Sequence, residues 1–269
     1  GLPPRIQSVD LNLPPSMSYA DLDEMWSAVH AAREKLKVSI VTGHTGRYEG
    51  CAFPMVGGAT MLARGPHDRY VSTTMAKPGD IVIVTKGPAI EATALMAVTF
   101  PKLVEERVGA ELAGQAQELF WSMTTVEDSM AAVSVGVREN GVTAMHDATE
   151  GGILGGLCEI AEASGVGMSI DESAIPVPEA VTGVCDAGDM GPLASFSEGS
   201  LLLTCTAGKA PDVLAVLRDR GSDAAAVGEC TGDSAERVIF GEKGQQPLVP
   251  PDFDPFWPAF AKAAESAKG

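Results

Sequence analysis

Apolar residues in the first seventy-five positions change their spacing repeatedly, and each change marks an element. Arg5–Leu13 (RIQSVDLNL) alternates apolar and polar positions, the pattern of a half-buried strand, with Asp10 inside it. Ser18 with Asp21 three residues on forms a capping box in which Asp takes the usual Glu place. Behind it Leu22, Met25, Trp26, Val29, Ala32 and Leu36 recur at helical spacing. KVSIVTGHTG then reads as a buried strand running into a glycine-bounded turn, and CAFPMVGGATMLA and DRYVSTT as two further strands.

Lys77-Pro78-Gly79-Asp80 is turn chemistry and the best candidate boundary. Beyond it, DIVIVTKG is a strand closed by Gly87-Pro88, with Pro88 suited to a first helical position. Helical patterns cover residues 88–98, 102–122 with a break near Gly109, and 125–139. VTAMHDA is a short strand, and Ile153, Leu154, Leu157, Ile160 and Ala161 line one face of the helix after it. GMSI, a helix near 178–187, SLLLTC, a helix over 209–219 and AAAVGEC complete a second αβ unit. The tail, PPDFDPFWPAFAKAAESAKG, is proline-punctuated and ends in a short helix. The expected fold class is α+β with two αβ domains, residues 1–79 and 80–250, and a tail over 251–269.

Charge narrows the choice of partners. Thirty-six acidic against nineteen basic residues give −17, which repels phosphate backbones, and no basic patch offsets it. Nucleic acid is not an expected partner, whereas a nucleotide held by backbone N–H groups or by magnesium is compatible with that charge. No apolar run approaches the roughly 18 residues of a membrane span, and the first residues lack the basic-then-apolar layout of a secretory signal. A cytoplasmic protein without membrane contact is expected. Five scattered cysteines without a Cys-x-x-Cys pair argue against zinc or a disulfide framework. Cys158 and Cys205 lie in apolar runs and belong to the core; only Cys51 lies next to a motif.

The densest chemistry is HDATEGGILGG, residues 146–156. Glycine costs about 1 kcal/mol against alanine inside a helix, so four of them where a helix begins call for a reason, one candidate being the close approach of a ligand or another backbone. A strand end feeding a helix start gathers free N–H groups and the positive end of the helix dipole. There Gly151 and Gly152 would admit a ligand, Asp147 and Glu150 could hold a divalent cation, and His146 could donate to phosphate or transfer a proton. The alternative is that Asp147 or Thr149 caps the helix while the glycines permit tight packing.

TGHTGRYEGC (42–51), with His44 and Thr45, is either a second binding loop or a polar connection. Asp10 is either solvated or paired, since an unpaired buried carboxylate is costly. Lys86 in TKGPAIEAT precedes a helix start and could meet a phosphate. No P-loop, dinucleotide fingerprint, nucleophile elbow or His-Glu-x-x-His is present.

Taken in order, the glycine-flanked His-Thr segment, the Lys-Pro-Gly-Asp turn, HDATEGGILGGL with Ala-Glu-Ala-Ser-Gly-Val-Gly (161–167), and SEGSLLL resemble the aminoimidazole ribonucleotide (AIR) synthase superfamily. That group includes selenophosphate synthetase, thiamine-monophosphate kinase and the hydrogenase-maturation carbamoyl dehydratase. The resemblance covers about residues 1–250 and is strongest to the AIR-synthase-related and hydrogenase-maturation branches. It implies two domains of AIR-synthase type, the N-terminal sheets of two copies forming a barrel-like dimer interface. It also implies ATP and Mg2+ as cofactors and phosphoryl transfer that activates a small-molecule substrate. By position, it places Asp10 and Asp147 at the metal, and Gly43, His44, Thr45, Lys86, Thr149, Gly151 and Gly152 at the nucleotide. His146, Asp147 and Glu150 are the expected catalytic residues.

Relatives carry a glycine-rich acidic segment ahead of the equivalent of Gly1, and a terminal cysteine serves the carbamoyl-to-cyanide chemistry. The sequence ends without such a cysteine, so that particular chemistry is not expected of it, and without the acidic segment magnesium coordination would be incomplete. The alternative within the same superfamily is a non-catalytic dimeric nucleotide-binding or scaffold protein.

Overall fold

A computed structural model describes residues 1–51 and 56–267. The chain forms two compact units, one over Leu2–Tyr70 and one over Val71–Gly269 together with Gly1.

The smaller unit contains β1 (Ile6–Leu13), α1 (Tyr19–Leu36), β2 (Ser39–Arg47) and β3 (Val56–Leu62). The sheet order is β2-β1-β3; β1 runs parallel to β2 across the α1 crossover and antiparallel to β3. The capping box forms: the Asp21 N–H donates to Ser18 Oγ at 3.1 Å and the Ser18 N–H to Asp21 Oδ2 at 3.2 Å. Lys37, left-handed at φ +56°, ends the helix. Alternation in β1 buries Val9, Leu11 and Leu13 against Leu22, Met25 and Ile40. Ser8, Asp10 and Asn12 therefore face the other way.

Three expectations change in this unit. The strand in KVSIVTGHTG does not turn at Gly43; β2 continues to Arg47, in register with β1 from Val9↔Gly43 to Leu13↔Arg47. Nor is it buried, because most of β2 and all of β3 lie exposed within the described residues. DRYVSTT forms no strand: Val71 packs into a core cluster of the larger unit and Thr73–Met75 is a single 3-10 turn. The first residues of CAFPMVGGATMLA, 52–55, lie outside the described residues.

The larger unit runs β4 (Asp80–Thr85), α2 (Ile90–Thr99), α3 (Pro101–Val108), α4 (Ala110–Glu118), α5 (Val126–Val135), β5 (Val142–Asp147) and α6 (Gly152–Ser164). It continues with β6 (Gly167–Asp171), α7 (Glu179–Gly188), β7 (Leu201–Thr206), α8 (Ala210–Arg218), β8 (Ala224–Thr231), β9 (Arg237–Gly241), β10 (Gly244–Pro247) and α9 (Phe256–Ser266). Seven strands form one sheet in the order β10-β9-β6-β8-β4-β7-β5, antiparallel except for β6 beside β9. Val82 and Val84 of β4 enter one core cluster with Ile153 and Leu157 of α6; Ile83 enters another with α5 and α8. The sheet is thus covered on both faces, as an apolar run such as DIVIVT requires. A third cluster joins α2, α4, α7 and α9, so the tail helix is part of this unit through Phe256, Ala259 and Ala263. Lys77–Asp80 forms the expected turn, the Lys77 N–H donating to Asp80 Oδ2 at 2.8 Å. Among the described residues no helix is long and apolar enough to cross a membrane.

Candidate functional site

β7 lies between β4 and β5 and runs antiparallel to both. The carboxyl ends of β4 and β5 therefore meet the amino end of β7 at one edge of the sheet. Thr85, at the end of β4, accepts the Leu201 N–H at 3.1 Å on its Oγ1. Ser200 Oγ donates to the Gly87 carbonyl at 2.5 Å and shares a 2.8 Å bond with Ser197 Oγ, while the Ala148 N–H donates to the Ser200 carbonyl at 3.0 Å. Gly199 is required where the loop passes the Ser122–Met123 backbone: it sits at φ +102°, and a Cβ would lie 2.5 Å from the Ser122 oxygen. These bonds pin the Ser197–Ser200 segment across the two strand ends.

Four carboxylates gather there: Asp147 at the end of β5, Glu150 in the following turn, Glu91 in the first turn of α2, and Glu198 in the loop before β7. Burial raises the Glu91 carboxyl to about 7; repulsion from Glu198, Glu150 and Asp147 adds to this, against a hydrogen bond from the Glu198 N–H. Asp147 is likewise raised by burial, offset in part by His146, by the Gly199 N–H and by Lys86. Glu198 is raised by burial and by its repulsion from Asp147 and Glu150. One oxygen of Glu91 (Oε2) and one of Asp147 (Oδ1) are buried without a hydrogen-bond partner. Buried carboxylate oxygens normally have partners, so this edge is short of positive charge. Sequence reasoning selected Asp147 and Glu150 and missed Glu91 and Glu198. Both lay inside the quoted stretches TKGPAIEAT and SEGSLLL, yet nothing local distinguishes them from solvating acids.

The HDATEGG turn is arranged differently from the expectation. Neighbouring strand residues face opposite sides, so the His146 ring points away from Asp147 although its charge still acts on that carboxyl. The His146 ring lies on the α6 side, its Nε2 2.5 Å from Glu159 Oε2. The N-cap of α6 is Gly151 at φ +77°, and neither Asp147 nor Thr149 caps it. The Gly151 N–H instead donates to Asp254 Oδ2 at 2.9 Å, from a residue 103 positions away, and the Gly152 N–H closes a turn onto the Thr149 carbonyl at 3.0 Å. What approaches Gly152 is the protein's own backbone: a Cβ there would lie 2.6 Å from the carbonyls of both Leu193 and Ser195. A Cβ on Gly156 would press on Leu202 Cδ1 at 2.5 Å. Close packing accounts for these two glycines.

Lys86 is committed as well. Its Nζ bonds Asp128 Oδ2 at 2.8 Å and the carbonyls of Thr124 and Ser122 at 2.6 and 3.2 Å. A lysine has three donors, so a phosphate would gain one only by displacing a present partner.

In the smaller unit, Asp10 lies in register with His44 on β2 and Gly58 on β3, on the open face. The structure makes these two side chains neighbours. His44 Nε2 is 2.9 Å from the Tyr48 hydroxyl. Thr45, one residue on, is in register with Leu11 and belongs to the opposite face. Gly43 stands at φ +154° against the Val9 carbonyl, where no Cβ fits.

Comparison with known proteins places this geometry in a family. The AIR synthase related protein C-terminal domain matches residues 77–241, more than half of the chain. The chain belongs to the AIR synthase related family. It is 28% identical over 245 residues to a carbamoyl dehydratase HypE from Cupriavidus necator, covering 88% of this chain and 65% of that one. The crystal structure of Escherichia coli HypE, a hydrogenase maturation protein, superposes with a TM-score of 0.78 at 24% identity, over 95% of this chain and 76% of that chain. HypE in complex with ATP superposes at 0.77 with 21% identity over the same shares. The chain spans 60–65% of the length of the first curated relatives it matches.

Proposed function

We propose that the protein binds ATP with magnesium and transfers a phosphoryl group to an oxygen of a small-molecule substrate, activating that oxygen for displacement. The observation that carries this reading is the pair of buried, partnerless carboxylate oxygens on Glu91 and Asp147, backed by Glu150 and Glu198. Magnesium takes oxygen ligands and is commonly held by one or two carboxylates plus substrate phosphates. The unpartnered oxygens of Glu91 and Asp147 are donors of that kind, although among the described residues no group of three His, Cys, Asp or Glu side chains could hold a metal ion by itself. When bound, the ion neutralises charge developing on the transferred group. Asp147 is the ligand on this unit. Glu91, near neutrality before any cation arrives, is suited to take the proton of the attacking oxygen. His146 and Thr149 flank the turn. HypE in complex with ATP supports the nucleotide as ligand.

In the smaller unit the same reading pairs the open sheet faces of two copies as a barrel-like dimer interface. Asp10 and His44 would then leave water, and a carboxylate leaving water needs a partner. A second reading, a dimeric scaffold without catalysis, is favoured by one observation: the α6 amide at Gly151 already holds an internal carboxylate.

Calorimetry with ATP, with and without Mg2+, on the wild type and Asp147→Asn separates the two. Binding that requires Mg2+ and weakens at least tenfold in Asp147→Asn is expected. Absence of any Mg2+-dependent binding would leave the scaffold.

A further inference from the structure

We propose that Asp254 is a positioning residue for this acidic site: its carboxylate, carried on the C-terminal strap, holds the turn that presents Asp147 and Glu150. The inference rests on the reading above for its ligand, and on geometry alone for the latch.

α6 begins at two successive left-handed glycines, Gly151 at φ +77° and Gly152 at φ +60°, with no capping side chain of its own. Such a start is conformationally permissive, and neither Asp147 nor Glu150 caps it. Asp254 supplies the missing acceptor. It is 9% exposed, and each oxygen takes one N–H: Oδ2 from Gly151 at 2.9 Å and Oδ1 from Phe256 at 2.9 Å, at the start of α9. One carboxylate thus joins the starts of two helices, and both helix dipoles favour a negative group there.

The strap bearing Asp254 is anchored on both sides. Leu248 is buried, with its N–H on the Arg237 carbonyl at 2.9 Å and its carbonyl accepting from Cys158 Sγ at 3.6 Å. Phe256 is buried in the cluster that includes α2, the helix that carries Glu91. Between these anchors Pro251, Phe253 and Asp254 wall a hollow of about 450 Å3 against Glu150, Gly155 and Glu159. The strap is therefore tied to the turn that carries Glu150 and to the cluster that includes α2, and Asp254 is its contact with the turn.

The test compares wild type with Asp254→Ala, Asp254→Asn and a control, Phe253→Ala, whose ring is largely exposed. Two readouts are taken: Mg-ATP affinity by calorimetry and amide hydrogen exchange over residues 148–155. Expected is a tenfold or greater loss of affinity in Asp254→Ala, with faster exchange confined to 148–155 and Phe253→Ala within twofold of wild type. Affinity within twofold of wild type in Asp254→Ala, even with a lowered melting temperature, would make Asp254 a structural cap only and overturn the proposal. If wild type binds no Mg-ATP, the proposed function falls and exchange decides this inference. Local acceleration then supports it, and uniform or absent acceleration overturns it. Should Asp254→Ala fail to fold, Asp254→Asn, which keeps the volume and one acceptor, is scored by the same limits.

Discussion

The two units carry their polar chemistry on opposite kinds of scaffold. In the larger unit, seven strands are covered on both faces, and the acids at the β4, β5 and β7 ends are pinned by buried serine and threonine bonds. In the smaller unit, three strands lean on one helix with no fully buried residue, and Asp10 and His44 stand on an open face. A buried carboxylate without a partner stores unfavourable energy that a cation can relieve; an exposed one is already satisfied by water. The larger unit therefore carries unrelieved acid as it stands, and the smaller would do so only if something covered its sheet.

The sharpest way to break this contrast is to add one methyl group to each unit. Gly152→Ala must fit a Cβ 2.6 Å from two backbone carbonyls at φ +60°, and neither carbonyl can move far because they belong to a segment packed on α6. A loss of about 2–4 kcal/mol is expected, read as a fall in denaturant midpoint. Gly58→Ala meets nothing within 4 Å and should change stability by less than about 0.5 kcal/mol. Equal effects would mean that the two scaffolds are packed alike.

A smaller effect separates stability from function within the larger unit. The Glu91 carboxyl is raised by burial from its ordinary 4.5 to about 7, so between those values the folded state holds a proton that the unfolded state has released. Stability then falls as pH rises through that window and is level above it. Asp147 and Glu198 shift in the same direction. Because Glu91 is only half-buried, screening reduces the contribution to about 1–2 kcal/mol. Glu91→Gln should raise the melting temperature at pH 8, flatten its pH dependence between 5 and 7, and abolish the further rise with Mg-ATP that the proposed function expects of the wild type. A variant that loses stability at pH 8 would contradict the charge-strained site.

What the sequence disclosed follows the range of the forces involved. The Ser18–Asp21 box and the Lys77–Asp80 turn are set by contacts within a few residues, and both were readable. DRYVSTT carried strand-like residues, but strands need partners and Val71 found a core instead. RVIFG was overlooked because β9 is short and pairs with β6, a strand remote in sequence. The glycines of HDATEGG announced a close approach without saying by what; Leu193, Ser195 and Leu202 answer for two of them, all from other segments. Glu91 and Glu198 became visible only through the β4-β7-β5 order.

The smallest effect on the folded monomer tests the open face. Ile6 and Leu62 are register partners at its end, 40% and 55% exposed, and apolar side chains so placed gain little from the monomer's own packing. Ile6→Thr with Leu62→Thr keeps the strand preference of both positions and should cost the isolated unit less than about 1 kcal/mol. If two copies meet through this face, the same pair removes apolar area from both sides of the seam. Sedimentation should then show wild type at twice the chain mass and the variant shifted towards the monomer, with the pH dependence set by Glu91 retained. A wild type that sediments as a monomer at every accessible concentration would leave Asp10 and His44 solvated, and the chemistry of this protein would rest on the larger unit alone.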